Sequence, residues 1–245
     1  MAHSPSGLGR MQVAREVGLL ALGVLCYFVV RGLTEGAADT AVDNAQALVA
    51  FERRLGVFWE PQLQELTDER EMLVTLLNWT YIWAHWPLIT PVAIWLLLGH
   101  HRTYVVTRNA FLVSGAIGLV VVASVPVAPP RLAELGMEDT VTERSKSYRV
   151  LQPPALVNQY AALPSLHFGW DLLIGLALWR KAKPVAIRAL GALVPVAMAL
   201  AVVLTANHFL LDVVAGGALA LLGLALAQHA PRLLRARSLA AEGIR

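Results

Sequence analysis

The chain has 245 residues, enough for one domain or at most two. AVILMFWYC make up 57% of it, charged residues only 15%, and the mean hydropathy is +0.58. A soluble globule of this size cannot bury so much apolar surface and still cover itself with polar groups. The same numbers exclude disorder, so the composition marks an integral membrane protein. The single cysteine, Cys26, excludes an intramolecular disulfide and a cysteine-only metal cluster. The net charge is +3 and the pI is near 9.3. The basic residues sit at the ends of apolar runs, not in a patch with interleaved aromatics, which argues for membrane orientation and against a nucleic-acid partner.

A spanning helix needs about 20 mostly apolar residues. Six segments are expected to span: Val13–Leu33, Met72–Leu98, Tyr104–Val125, His167–Trp179 (short unless it begins at Pro164), Ala186–Ala206 and Phe209–Gln228. The expected fold is all-α, a polytopic six-helix bundle forming a single membrane domain over 1–245. The first run has a second reading, a signal peptide with a small-residue site near Gly36-Ala37-Ala38. Against it, Arg15 and Arg31 can snorkel and lengthen the span.

With the N-terminus in the cytoplasm, the inner segments hold Arg10, Arg15, Arg102, Arg108, Arg180, Lys181, Lys183, Arg188, Arg232, Arg235, Arg237 and Arg245, opposed only by Glu16 and Glu242. Excess basic charge marks the cytoplasmic side. Both termini are therefore expected inside, with 229–245 a basic cytoplasmic tail and the two long connections outside, as in a multi-pass plasma-membrane protein. The first connection, 34–71, is acidic. Within it, Val42, Ala45, Leu48, Val49 and Leu55 recur at helical spacing, which predicts an amphipathic helix over Val42–Phe58 lying on the outer leaflet. The second, Pro126–Leu163, is rich in Pro and charge and has no helical period. Loops that long are commonly functional or disordered.

Ionisable side chains inside spans cost about 2.5–3.5 kcal/mol on insertion scales and are functional candidates by default. They are His85, His167, Asp171, His208 and Asp212. His208 and Asp212 stand at i,i+4 at the outer start of the sixth span, so they share a helix face. A carboxylate on one ring nitrogen leaves the other as a lone-pair nucleophile or base. The bland reading is a polar pair that neutralises itself within a bundle. In Ala162-Leu163-Pro164-Ser165-Leu166-His167, Pro suits a helix start, and Ser165 with the free N–H groups beside it forms an anion site. His167 falls at the same membrane level as His208. Asp171, four residues on, either orients His167 or faces a hydrated cavity.

Two weaker signals accompany these. Arg131 follows the proline-rigid run Val125-Pro126-Val127-Ala128-Pro129-Pro130. A guanidinium held there offers phosphate a planar fork, although an Arg at a span end is also a lipid-headgroup anchor. Asn78, Tyr81 and His85 at i, i+3, i+7 form one polar face of the second span, suited to substrate binding, to support of the site, or to interhelical hydrogen bonding.

Ala-Leu-Pro-Ser-Leu-His (162–167) with His208-x-x-x-Asp212 resembles the second and third motifs of the type 2 phosphatidic-acid phosphatase superfamily. Pro-Ser-Leu-His-x-Gly and Ala128-Pro-Pro-Arg131 resemble its inositol-phosphoceramide synthase-like branch, over roughly residues 50–225. The resemblance implies that His208 attacks phosphorus to form a phosphohistidine and that Asp212 holds and polarises it. His167 would protonate the leaving oxygen and then activate the acceptor, while Ser165 and Arg131 bind phosphoryl oxygens. It also implies that neither a metal nor another cofactor is needed. Two family cations are missing: the Lys seven residues before the Arg is Ser124 here, and the Arg six before the His is Val202, with Ala201 in place of its Ser. Because phosphoryl transfer depends on electrostatic stabilisation, other groups must replace them. Arg149 and Tyr148 are the first candidates; Arg144, Lys146, Arg53, Arg54, Asn158 and Tyr160 are further ones.

The expected activity is phosphoryl transfer from a membrane lipid phosphate or diphosphate at the outer interface, where the tail stays in the bilayer and the phosphate reaches water. Water as acceptor makes a phosphatase, the preferred reading because water needs no dedicated pocket. An alcohol such as inositol makes a phosphotransferase, toward which the branch resemblance points. Two other classes stand behind these. A transporter or flippase would spread its ionisable groups through the bilayer depth. A zinc site would draw on His167, His208, Asp212 and Asp171.

Overall fold

The computed structural model describes residues 10–34, 36–145 and 158–242. In chain order its helices are α1 (Arg10–Thr34), α2 (Ala38–Leu55), α3 (Glu60–Asp68), α4 (Glu71–Trp83), α5 (Trp86–Gly99), α6 (His101–Ser124), α7 (Thr140–Arg144), α8 (Leu166–Lys181), α9 (Val185–Leu204) and α10 (Leu210–Glu242). A 3₁₀ turn covers Pro130–Leu132. Among the described residues there is no strand, only an isolated bridge between Val127 and Ala161.

Among the described residues, four helices are long and apolar enough to cross a membrane: Ala14–Thr34 of α1, α6, α9 and Leu210–His229 of α10. Helices α4 and α5 pass the same test together but meet at a 43° bend, and make a fifth if counted as one span. The chain is an integral membrane protein. The expected fourth span, α8, has 16 residues, short of the usual length. The sixth expected segment matches the apolar stretch Leu210–His229, beyond which α10 continues as helix to Glu242.

The expected uninterrupted span over Met72–Leu98 is corrected by a break at Ala84–His85. His85 has non-helical angles (φ −91, ψ −107) and Pro87 occupies the first turn of α5. A proline there has no N–H to give the preceding turn, and its ring clashes with a continuing helix. His85 is therefore not on one continuous helical face with Asn78 and Tyr81.

Helix α2 is also corrected in its buried face and in what that face meets. Ala41, Ala45, Val49 and Glu52 are buried, whereas Leu55, expected on the apolar face, is exposed. The alanines and Val49 pack on Val127, Ala128, Ala133, Ala162 and Phe209, so this helix roofs the connecting loops. Gly56 ends it in the left-handed region (φ 71), donating back to Arg53 and Glu52 carbonyls.

Small residues bring the spanning helices together, as expected where lipid gives no hydrophobic drive for association. A Cβ on Gly175 of α8 would lie 2.3 Å from the Gly191 carbonyl of α9, and one on Gly223 of α10 would lie 2.7 Å from the Ala110 carbonyl of α6. Helix α1 docks on α6 through Glu16, which accepts from the Tyr104 hydroxyl at 2.9 Å and pairs with Arg108.

Candidate active site

Backbone hydrogen bonds lace three loop segments into one platform. Val127 donates to the Tyr160 carbonyl and Ala162 donates to the Val127 carbonyl, while Ala128 donates to Ala41 of α2 and Arg131 to Ala206. The proline-rich run, the residues before α8 and the α9–α10 turn are thereby fixed to one another. Ala206 in that turn takes φ 55 while fully buried. A left-handed non-glycine residue costs about 1–3 kcal/mol and persists only where its surroundings hold it. Here the turn presents His208, whose N–H, with that of Asn207, returns to the Val202 carbonyl.

Helices α8 and α10 both begin at this platform and pack side by side from their first turns. Ser165 N–H donates to the Asp212 carbonyl at 2.9 Å. The approach requires glycine, since a Cβ on Gly216 would sit 2.1 Å from the Ser165 carbonyl, and one on Gly169 would sit 2.6 Å from the Gly216 carbonyl. Ser165 is fully buried and caps α8, its hydroxyl accepting the Phe168 N–H at 3.4 Å. His167, one turn in, comes to a ring-centroid distance of 6.0 Å from His208.

The His208 ring is oriented from behind. Nδ1 lies 2.7 Å from the Ala162 carbonyl and 3.5 Å from Asp212 Oδ2. A carbonyl oxygen only accepts, so Nδ1 carries the proton and Nε2 keeps its lone pair. The nearer partner is the carbonyl; the carboxylate adds negative charge beside the same nitrogen. Asp212 also accepts the Phe209 N–H at 2.8 Å, the reach-back of an N3 acid to a helix cap.

Arg131 stands beside His208. Its Nη1 donates to Asn207 Oδ1 at 2.7 Å and its Nε pairs with Asp139 at 3.0 Å. Asn207 is held in turn by Thr205, whose carbonyl and hydroxyl accept from its Nδ2.

The other polar group in the bundle is placed differently from expectation. Asp171 turns neither to His167 nor to a cavity: its Oδ1 lies 3.0 Å from His85 Nδ1, both side chains buried. The break before α5 frees His85 from helical register and lets it reach α8. The His85 ring lies 4.3 Å from that of His167, and Tyr81 stacks on the same imidazole at 4.7 Å. Asn78 engages Thr140 with both ends of its amide, tying α4 to α7.

Arg149, Tyr148 and Lys146 lie outside the described residues. Of the other candidate donors, Arg53 is exposed and lies over the Phe58 ring, and Arg54 is exposed. Arg144 pairs with Glu138. Asn158 bonds Tyr27 and Thr34 of α1 through its N–H and Nδ2. Val202 is buried in a core cluster with Leu77, Tyr81 and Met198, and Ser124 caps back on the Val120 carbonyl. Among the described residues, no group of three or more His, Cys, Asp or Glu is placed to hold a metal ion.

Two site-adjacent residues escape sequence reasoning altogether. Glu52 of α2 and Glu60 of α3 are fully buried, and their Oε1 atoms accept the N–H groups of Leu211 and Leu210, each at 2.8 Å. A cavity of about 290 Å³ lined by Arg102, Thr107, Leu173, Arg180, Lys181 and Gln228 lies at the far end of α6, α8 and α10. Its nearest lining residue on α8, Leu173, stands six residues, about 9 Å of helix, from His167.

The pieces in one cluster are two imidazoles, one from the first turn of α8 and one from the α9–α10 turn, the latter with its tautomer set by a carbonyl, an aspartate behind it and an arginine at its edge. The chain matches the family described as PAP2 superfamily over residues 46–226, well over half its length. It belongs to the PAP2 superfamily. That match contains α3 to α9, the second half of α2 and the first half of α10. Superfamily members are phosphatases or phosphotransferases, which makes this chain an enzyme of lipid-phosphate type. Comparison with curated proteins and with solved structures gave no match.

Proposed function

We propose that this PAP2 protein is a lipid phosphate phosphatase that works through a phosphohistidine. The reading is carried by His208, whose Nδ1 is committed to the Ala162 carbonyl and whose other nitrogen is therefore a nucleophile, with a second imidazole 6.0 Å away. In the first step Nε2 attacks phosphorus, the bond from phosphorus to the lipid oxygen breaks, and His167 delivers a proton to that oxygen. In the second step His167 takes a proton from water, the water oxygen attacks phosphorus, and the P–N bond breaks. Splitting one displacement of an inert ester into two lowers each barrier. Asp212 stabilises the positive charge that His208 gains. Arg131, Ser165 and the N-terminus of α8 bind phosphoryl oxygens, with Arg149 and Tyr148 as further donors. Tyr81 and His85 shape the wall behind His167, and Asn78 secures α4.

The site belongs at the extracytoplasmic rim of the plasma membrane with both termini inside, since the basic ends of α6, α8 and α10 lie opposite it. In that placement α8 counts as a sixth, short span, and α2 with α3 caps the outer face. The second reading, transfer of a phosphoryl-containing headgroup to an alcohol such as inositol, uses the same residues and rests on Pro-Ser-Leu-His-x-Gly. The purified protein is offered phosphatidate, isoprenyl phosphates and phosphatidylinositol, with and without inositol. Free phosphate from a lipid monophosphate supports hydrolysis, product appearing only with the alcohol supports transfer, and no turnover of any lipid contradicts both.

A further inference from the structure

Two carboxylic acids buried at the head of α10 have no place in the two-step chemistry. Glu52 and Glu60 come from separate external helices, yet both reach the first turn of the helix that follows His208. That turn has free N–H groups and the positive end of the helix dipole. Each acid binds one amide with Oε1, and the two carboxyls share a side-chain hydrogen bond with each other, which needs a proton on one of them. Asp212 Oδ1 is buried without a partner on the same turn. Burying facing carboxyls is costly, and two amides alone would be satisfied by water or one capping side chain. The arrangement needs a further reason.

We propose that Glu52 and Glu60 are positioning residues for phosphoryl transfer: their carboxyls clamp α2 and α3 onto the first turn of α10 and so hold His208 and Asp212 in place. This rests on the phosphohistidine reading above. Leu210 is two residues after His208 and Leu211 is one residue before Asp212, so a shift of these amides moves both. The clamp also withholds those amides from the substrate, leaving the phosphate to the α8 end and Arg131.

The clamp is sensitive to protonation. Burial pushes the Glu52 carboxyl up to about 8, against the Leu211 amide, and the facing Glu60 of α3 and Asp212 of α10 push it further the same way. The neighbouring Arg53 on its own helix is turned to Phe58. A carboxyl whose folded value lies above its unfolded one stabilises the fold below the unfolded value. That contribution is lost as pH rises through about 8. Above that pH Glu52 adds negative charge behind His208, where the phosphoryl group must approach.

The test compares wild type, Glu52→Gln and Glu52→Ala in detergent micelles, with a lipid monophosphate as substrate. Gln resembles the protonated acid: it can still accept the Leu211 amide and cannot ionise. Glu52→Ala is expected to lower kcat about tenfold or more with KM changed less than about twofold, and Glu52→Gln to recover most of that loss at pH 7. Wild-type kcat/KM and melting temperature are expected to fall as pH rises through about 8, and both falls to flatten in Glu52→Gln. A normal kcat in Glu52→Ala, or an alkaline fall identical in wild type and Glu52→Gln, overturns the proposal. If Glu52→Ala does not fold, the pH profiles of the other two decide. If wild type turns over no lipid phosphate, the phosphohistidine reading fails by itself. The difference in melting temperature against pH then decides the clamp.

Discussion

Two histidine–aspartate pairs flank His167, and they are built differently. In the first, His208 is held mainly by a carbonyl at 2.7 Å, with Asp212 at 3.5 Å, on a platform of backbone hydrogen bonds from three loops. In the second, His85 meets Asp171 directly at 3.0 Å inside the bundle, packed among Trp86, Trp170 and the His167 ring. The first pair sits beside Arg131, Asn207 and a helix N-terminus, groups that stabilise an anion. The second sits among aromatic rings, and each of the two acids, Asp212 and Asp171, keeps one buried, unpartnered oxygen. Pairing a histidine with an acid therefore does not mark a nucleophile. On the proposed reading, the company of anion-binding groups separates the pair that reacts from the one that supports.

Substitutions at the two pairs sharpen this contrast. His208→Ala is expected to reduce turnover by at least about a thousandfold while the melting temperature moves little, because the nucleophile is lost and the platform keeps its backbone bonds. Retained phosphate release would make the two pairs equivalent. Asp212→Asn comes next, at roughly a hundredfold in kcat, since the amide oxygen can still cap Phe209 but the charge behind His208 is gone; single-turnover phosphorylation is the step to time, and an unchanged rate removes Asp212 from the chemistry. His85→Ala is expected to lower kcat about tenfold or less, yet to cost about 3 kcal/mol of stability by leaving Asp171 as an unpaired buried acid. Thermal unfolding checks this, and a stable protein with no activity would move the second pair into the chemistry.

The legible and illegible parts of the molecule divide along physical lines. The gathering of Pro164, Ser165, His167, His208 and Asp212 is readable because it depends on local spacing along the chain: each set sits at a helix start, and those starts meet at one platform. The membrane class is readable from composition alone. The break at His85 was present in the sequence as Pro87, but an apolar run over Met72–Leu98 hides a bend that only the missing N–H reveals. Gly169 and Gly216 are likewise quiet in sequence, though they set how closely α8 and α10 approach. Glu52 and Glu60 could not be read. They lie in an acidic external segment and look solvated, and only contacts with residues about 150 positions away bury them. The Asp171–His85 pairing was missed for a similar reason, since the i,i+4 rule points Asp171 at His167 and says nothing of a helix arriving from elsewhere.

The most direct measurement is chemical trapping of the intermediate. Purified protein is mixed briefly with lipid carrying a labelled phosphate, quenched in base, digested and mapped. The account predicts an acid-labile, base-stable label on His208 that disappears in His208→Ala and persists in His85→Ala. A label on another residue, or turnover with no trapped label under single-turnover conditions, would contradict it.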